Sequence, residues 1–215
     1  MSNSTGAPLR RHLLWGVLVA AILAVVVTAI MAPRWSREMQ SEPPQRLGRV
    51  PEFSLVNRDG RQVGLADLDG SPWVADFIFT RCGISCPRMT AIMVRLGEAL
   101  PEGTRVHRVS VSVDPEHDTP EVLQTYAESF GISDDRWLFL TGDRESIYPL
   151  MIEGFKLGVD ASPPPGTASE EEPILHSTRL VLVDGQGEIR GYYDGFHSEE
   201  FERLLRDLAA VSAGG

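Results

Sequence analysis

The chain has 215 residues, 42% of them hydrophobic, and a formal net charge of −10 at pH 7, enough for one domain of ordinary size plus an appendage. Its first acid is Glu38, preceded by Arg10, Arg11, Arg34 and Arg37, so everything after the first few dozen residues is more acidic than the average suggests. This balance excludes a nucleic-acid binder working through a basic face, and the hydrophobic content excludes a disordered tail protein.

Leu13 to Ala32 reads LLWGVLVAAILAVVVTAIMA, with no charge in it. Twenty residues at about 1.5 Å each span about 30 Å, the thickness of a bilayer's hydrocarbon core. A secretory signal has a shorter apolar stretch, so the run is predicted to be a retained transmembrane helix over 13–32, after a short tail over 1–12. One such run excludes a polytopic transporter. The short tail is expected to stay inside, which puts the acidic part in the periplasm or its equivalent, anchored to a bacterial cytoplasmic membrane. Residues 33–49 are polar and contain Pro43-Pro44, the composition of a tether, and the folded domain is expected over 50–212.

Phe53 to Val56 and Gln62 to Leu65, joined through Asn57-Arg58-Asp59-Gly60, predict a hairpin. Trp73 to Phe79 (WVADFIF), bounded by Gly70-Ser71-Pro72, predicts a buried strand. Pro87 is expected to open a helix with apolar positions at Met89, Ile92, Met93, Leu96 and Leu100, which places Cys86 at its cap and Cys82 in the loop before it. Val106 to Val113 predicts a strand ended by Asp114-Pro115. Thr119-Pro120-Glu121 starts a helix running to about Phe130. A strand over Trp137–Leu140 and a helix over Asp143–Ile152 follow. Gly158 to Pro173, with a proline run and Glu170-Glu171-Glu172, is expected to be an exposed insertion. Arg179–Val183 and Glu188–Tyr193 form a second hairpin, and Glu199–Val211 a last helix. The alternation predicts a three-layer α/β fold of thioredoxin type with an N-terminal β-hairpin, preceded by the transmembrane helix.

Cys82 and Cys86 are the chain's two cysteines, and they lie four apart. A pair so placed points to chemistry: a disulfide, a redox couple or a soft-metal site. A helix start favours thiolate over thiol, and Arg81 and Arg88 are expected to add to that effect. Copper(I) is soft and accepts three-coordinate sites, so two thiolates and one imidazole suit it. Among the five histidines, His12 precedes the apolar run, His107 alternates within a strand and His197 precedes the last helix, which suits structural or surface roles. His117, in the loop after a strand, and His176, just after the insertion, remain as ligand candidates. Met89 and Met93 are expected to pack in the core, and Asp76, inside an apolar strand, to be hydrogen-bonded there.

Several blocks carry a resemblance: Phe77-Ile78-Phe79-Thr80-Arg81-Cys82 through Cys86-Pro87, Ser112-Val113-Asp114-Pro115-Glu116-His117-Asp118-Thr119-Pro120, Leu140-Thr141-Gly142, and His176-Ser177-Thr178 ahead of Asp184-Gly185. Together they resemble the Sco/SenC family of membrane-tethered copper-binding assembly factors. The resemblance implies that Cys82, Cys86 and His176 are the metal ligands, that copper is the cofactor, and that the partner is the copper-site subunit of cytochrome c oxidase. Other copper chaperones or thioredoxin-like reductants are further expected partners. A thiol-disulfide oxidoreductase using Cys82 and Cys86 as its redox pair is the alternative. The chain departs from the family at Gly83, where a proline is usual, and glycine loosens that loop.

Overall fold

A computed structural model of the chain describes residues 44–101, 103–157 and 177–213. Its contacts divide the chain into Met1–Glu42 and Pro43–Gly215, and the fold described is that of the second unit. The predicted transmembrane run over 13–32, the insertion over 158–173 and His176 lie outside the described residues. Among the described residues no helix is long and apolar enough to cross a membrane.

Among the described residues eight strands join in one sheet: β1 (Gly48–Arg49), β2 (Ser54–Asn57), β3 (Gln62–Gly64), β4 (Trp73–Ile78), β5 (His107–Ser112), β6 (Trp137–Thr141), β7 (Ser177–Val183) and β8 (Glu188–Asp194). Their order is β1-β8-β7-β4-β5-β6-β2-β3. β4, β5 and β6 run parallel, with β7 antiparallel on the other side of β4. The helices are α1 (Ser85–Ala99), α2 (Pro120–Ser129), α3 (Arg144–Pro149) and α4 (Ser198–Ala213). The architecture is the expected thioredoxin-like α/β fold, with the β2–β3 hairpin added beyond β6.

β4 sits inside the sheet with every residue buried, which explains its apolar sequence. Trp73 and Phe77 meet Phe155 edge-on at 5.8 and 5.2 Å on one face, so Asp76, between them in the alternation, points to the other. On that second face α1, α2 and α4 lie side by side. Thr90 Oγ1 and the Tyr126 hydroxyl are 2.8 Å apart, and the Arg95 guanidinium stands 4.5 Å from the Phe201 ring centre.

Three boundaries differ from the sequence expectation. α1 begins at Ser85, so Cys86 is inside the first turn and is not the cap, which is Ile84. Proline is tolerated throughout that turn because its amides have no intrahelical acceptor. The expected helix over 143–152 is α3 followed by a π-turn over Leu150–Gly154. Pro149 offers no N–H to the carbonyl four residues back, and the widened turn accommodates that loss. The sheet also reaches back ahead of Val50: Leu47 N–H donates to Ile189 O at 2.8 Å, and Arg190 grips Pro44 O. That pairing covers the outer edge of β8.

α1 approaches β5 closely at Gly97. A Cβ there would run into the guanidinium of Arg108, which is buried and fixed by Met93 O at 2.9 Å and Asp134 at 2.7 Å. Gly97→Ala is therefore expected to lower stability by about 2 kcal/mol through overpacking, despite alanine's better helix propensity. A denaturant midpoint that rises instead would show that Arg108 moves aside freely.

Candidate functional site

The parallel strands bring two loops to one edge of the sheet. β4 ends at Ile78 and leads into the cysteine loop. β5 pairs with it in register through Ser112 and leads into Asp114–Asp118. β7 begins at this same edge, because Ser177 is the partner of Phe77, and β8 ends there, because Asp194 is the partner of Arg179.

Asp118 is fully buried and ties the two loops together. Thr80 donates to it twice, from its backbone N–H at 3.0 Å and its hydroxyl at 2.5 Å, and the Ser112 hydroxyl donates at 2.6 Å. The Arg81 guanidinium bridges the same gap to Asp114 at 2.6 and 2.8 Å. The stretch before Cys82 is thereby pinned at two successive residues, and the cysteines that follow hang from a fixed anchor.

Both thiols are free and buried. The backbone N–H of Cys86 donates to Cys82 Sγ at 3.3 Å, which brings the first sulfur onto the start of α1. Cys82 Sγ lies 3.2 Å from Ser85 Oγ, and Phe79 N–H donates to Cys86 Sγ at 3.4 Å. The two sulfurs differ in acidity. Burial pushes the Cys82 thiol up, but the Ser85 hydroxyl, the amides of Cys86 and Ile84 and the Cys86 thiol together bring it below the usual thiol value. Burial pushes the Cys86 thiol well above that value, the Phe79 N–H opposes it only in part, and negative charge on Cys82 or Asp76 raises it further. The acidity of Cys82 thus comes from hydrogen-bond donors at the helix start. The flanking arginines are otherwise engaged, Arg81 with Asp114 and Arg88 over the Phe196 ring at 4.3 Å.

The other residues singled out in the sequence fall into place around this pair. Met89 and Met93 are core residues. His107 lies at the start of β5 opposite Trp73, a strand length from the cysteines, and burial lowers its pKa. His197 is exposed at the cysteine edge and contacts Asp194 at 3.1 Å. His117 is at the same edge, with Nδ1 2.9 Å from Asp118 Oδ1. Asp76 accepts from Ser110 at 2.6 Å through one oxygen, and its other oxygen is buried without a partner among the described residues. The tie through Thr80, Ser112 and Asp118 is not among the sequence expectations. Its signal is the Ser112-x-Asp114-x-x-x-Asp118 spacing of small polar residues after a strand.

Two free thiols at the start of one helix, the first more acidic than the second, can hold a soft metal ion after losing their protons, or can close a disulfide. Comparison with known proteins bears on that choice. The SCO1/SenC family model matches residues 41–212. The SCO1 protein homolog of Bacillus subtilis is 36% identical over 165 residues, 76% of this chain and 82% of that protein. A protein of Stutzerimonas stutzeri named for copper binding is 30% identical over 66% of this chain and 68% of its own length. The solved structure of BsSco, described as a member of the Sco family of cytochrome c oxidase assembly proteins with a disulfide switch, aligns with a TM-score of 0.68 at 34% identity. It covers 80% of this chain and 98% of that one.

Proposed function

This chain belongs to the SCO1/SenC family, and from that premise we propose that it is a membrane-tethered copper carrier. Reduced Cys82 and Cys86, with His176, take up copper(I) and pass it to the copper-site subunit of cytochrome c oxidase. The observation that carries the reading is the meeting of two free thiols at the start of α1, with the Cys86 amide on the Cys82 sulfur. A soft cation replaces the protons of both thiols, and the ordered turn holds the donors close before metal arrives. The pairing of Ser177 with Phe77 supports His176 as the third donor, because it starts β7 at the cysteine edge. The copper-binding relative and the oxidase assembly role described for BsSco support the cargo and the partner. The uncharged run over 13–32 supports an anchor that leaves the acidic domain outside the cytoplasmic membrane.

The test is a titration of the reduced chain with copper(I) against a competing chelator. His176→Ala is expected to weaken binding by about a hundredfold, the loss of one of three donors at about 2.8 kcal/mol. Equal affinity in the variant would remove His176 from the site.

The asymmetry of the two thiols favours a second reading, thiol-disulfide exchange. The Cys82 thiolate attacks a partner disulfide and expels one partner thiolate, giving a mixed disulfide. Cys86 then gives up its proton and displaces the second partner thiolate, so two electrons pass to the partner and Cys82–Cys86 closes. A thioredoxin-like reductant would restore the pair. Rapid reduction of a disulfide substrate by a chain whose copper affinity ignores His176 would select this reading.

A further inference from the structure

Asp114, His117 and Asp118 present ligand atoms within 4.8 Å of one another, the spacing of a cation site. Their hydrogen bonds argue against that use of the carboxylates. Asp114 carries the Arg81 guanidinium. Both oxygens of Asp118 are engaged, one by the Thr80 hydroxyl and the His117 ring, the other by the Thr80 amide and the Ser112 hydroxyl. What stays open is the second ring nitrogen of His117, Nε2, which has no hydrogen-bond partner among the described residues, on a side chain 42% exposed.

The contacts also place a hydrogen on the other ring nitrogen, Nδ1. The Thr80 hydroxyl gives its proton to Asp118 at 2.5 Å, so its oxygen is left to accept from the ring, 3.3 Å from Nδ1. Asp118 is likewise an acceptor. Both neighbours of Nδ1 therefore call for a hydrogen on it, and the neutral ring then carries its lone pair on Nε2. A carboxylate behind Nδ1–H is the arrangement that orients an imidazole as a metal ligand and makes its other nitrogen a better donor. The ring touches Thr80, two residues and so about 7 Å of chain from Cys82. Cys82 N–H donates to Phe79 O at 3.2 Å, so Thr80 and Cys82 share one tight turn, and on the far side of Cys82 the loop continues through Gly83, around whose Cα there is open space.

We propose that His117, presented by Asp118, is a second imidazole ligand at the cysteine loop, which takes copper(I) together with Cys82 while the metal enters or leaves the site. The inference rests on the copper reading above. It gives the metal a further donor beside the loop when a principal ligand is absent.

The experiment uses the reduced full chain loaded with copper(I) and X-ray absorption spectroscopy, in which a bound imidazole leaves outer-shell scattering. Four proteins are compared: the parent, His176→Ala, His117→Asn, and the two substitutions combined. Asparagine keeps an N–H for Asp118 and removes only the nitrogen that would bind metal. His176→Ala is expected to retain one imidazole per copper, and the combined variant to have none. In stopped-flow transfer to a chelator, His117→Asn is expected to release copper at least about fivefold more slowly than the parent, with equilibrium affinity within about twofold. Absence of imidazole scattering in His176→Ala, or its persistence in the combined variant, overturns the proposal and leaves the copper reading standing. A parent chain that binds copper no better than Cys82→Ser/Cys86→Ser overturns both.

Discussion

In the reduced protein at pH 7.5, iodoacetamide is expected to label Cys82 at least about a hundredfold faster than Cys86, because only a thiolate reacts. Access does not supply this difference, since the residues are 4% and 3% exposed. Acidity does: donors from Ser85, Ile84 and Cys86 lower Cys82, while burial and nearby negative charge raise Cys86. In denaturant the two rates should converge, because the environments that separate them are gone. Equal rates in the folded protein would sink the assignment of Cys82 as first nucleophile and first copper ligand. The same asymmetry sets an order of loading. Copper meets the more acidic thiol at Cys82 first and must then displace a more firmly held proton at Cys86, so the second of the two protons should be the slower to leave. Loss of either sulfur is expected to reduce copper(I) affinity by about a thousandfold or more, about 4 kcal/mol, since a serine oxygen is a poor donor to a soft ion. Cys86→Ser should keep the fast labelling at position 82 and lose the tight binding.

The elements that carry the site were legible because each follows from a local rule. Trp73 to Ile78 is apolar on both faces except at Asp76 and forms a fully buried strand inside the sheet, and Thr119-Pro120-Glu121 opens α2 with the Thr119 side chain accepting from the Val122 amide. What escaped the sequence is the pairing of groups distant along the chain. Thr80 and Asp118 are 38 residues apart, and Arg81 and Asp114 are 33 apart. Neither pairing follows from periodicity, which reports the face of an element and not the partner it meets. Arg81 shows the consequence: its charge next to Cys82 suggests direct support of the thiolate, yet its guanidinium is turned to Asp114. The start of α1 is misplaced by the sequence for a related reason. Pro87 marks a first turn without saying which position of the turn it fills, and the bond from the Cys86 amide to the Cys82 sulfur is what places the cysteines.

Asp76→Asn is expected to remove a pH dependence of stability worth about 4 kcal/mol. The Asp76 carboxyl lies wholly buried behind Cys86, and burial pushes its pKa up from 3.8 to about 7, against the opposing pull of the Ser110 hydroxyl. A raised folded-state pKa means that the folded protein binds the proton more tightly than the unfolded chain. The stabilisation is complete below about pH 4 and is lost as pH rises toward 7, and a rise of that size in the pKa corresponds to about 4 kcal/mol. The carboxylates whose pKa values are lowered, Asp134 and Asp143 among them, act at the acidic end and leave the window from about pH 5 to 7.5 open. His107 works in the opposite sense there, since burial lowers its pKa and favours folding as pH rises. It is common to both proteins and cancels in their difference. Denaturation of reduced parent and variant across that window should therefore give curves that diverge toward high pH by about 2.5 kcal/mol, the part of the whole change that falls there, with the variant gaining relative to the parent. Parallel curves would mean that Asp76 is ionised throughout the window, or that its unpartnered oxygen reaches water. A second consequence ties the acid to the metal site. Charge on Asp76 opposes ionisation of Cys86, so the variant should release the Cys86 proton more readily and label faster at that position, which the change in stability alone would not produce.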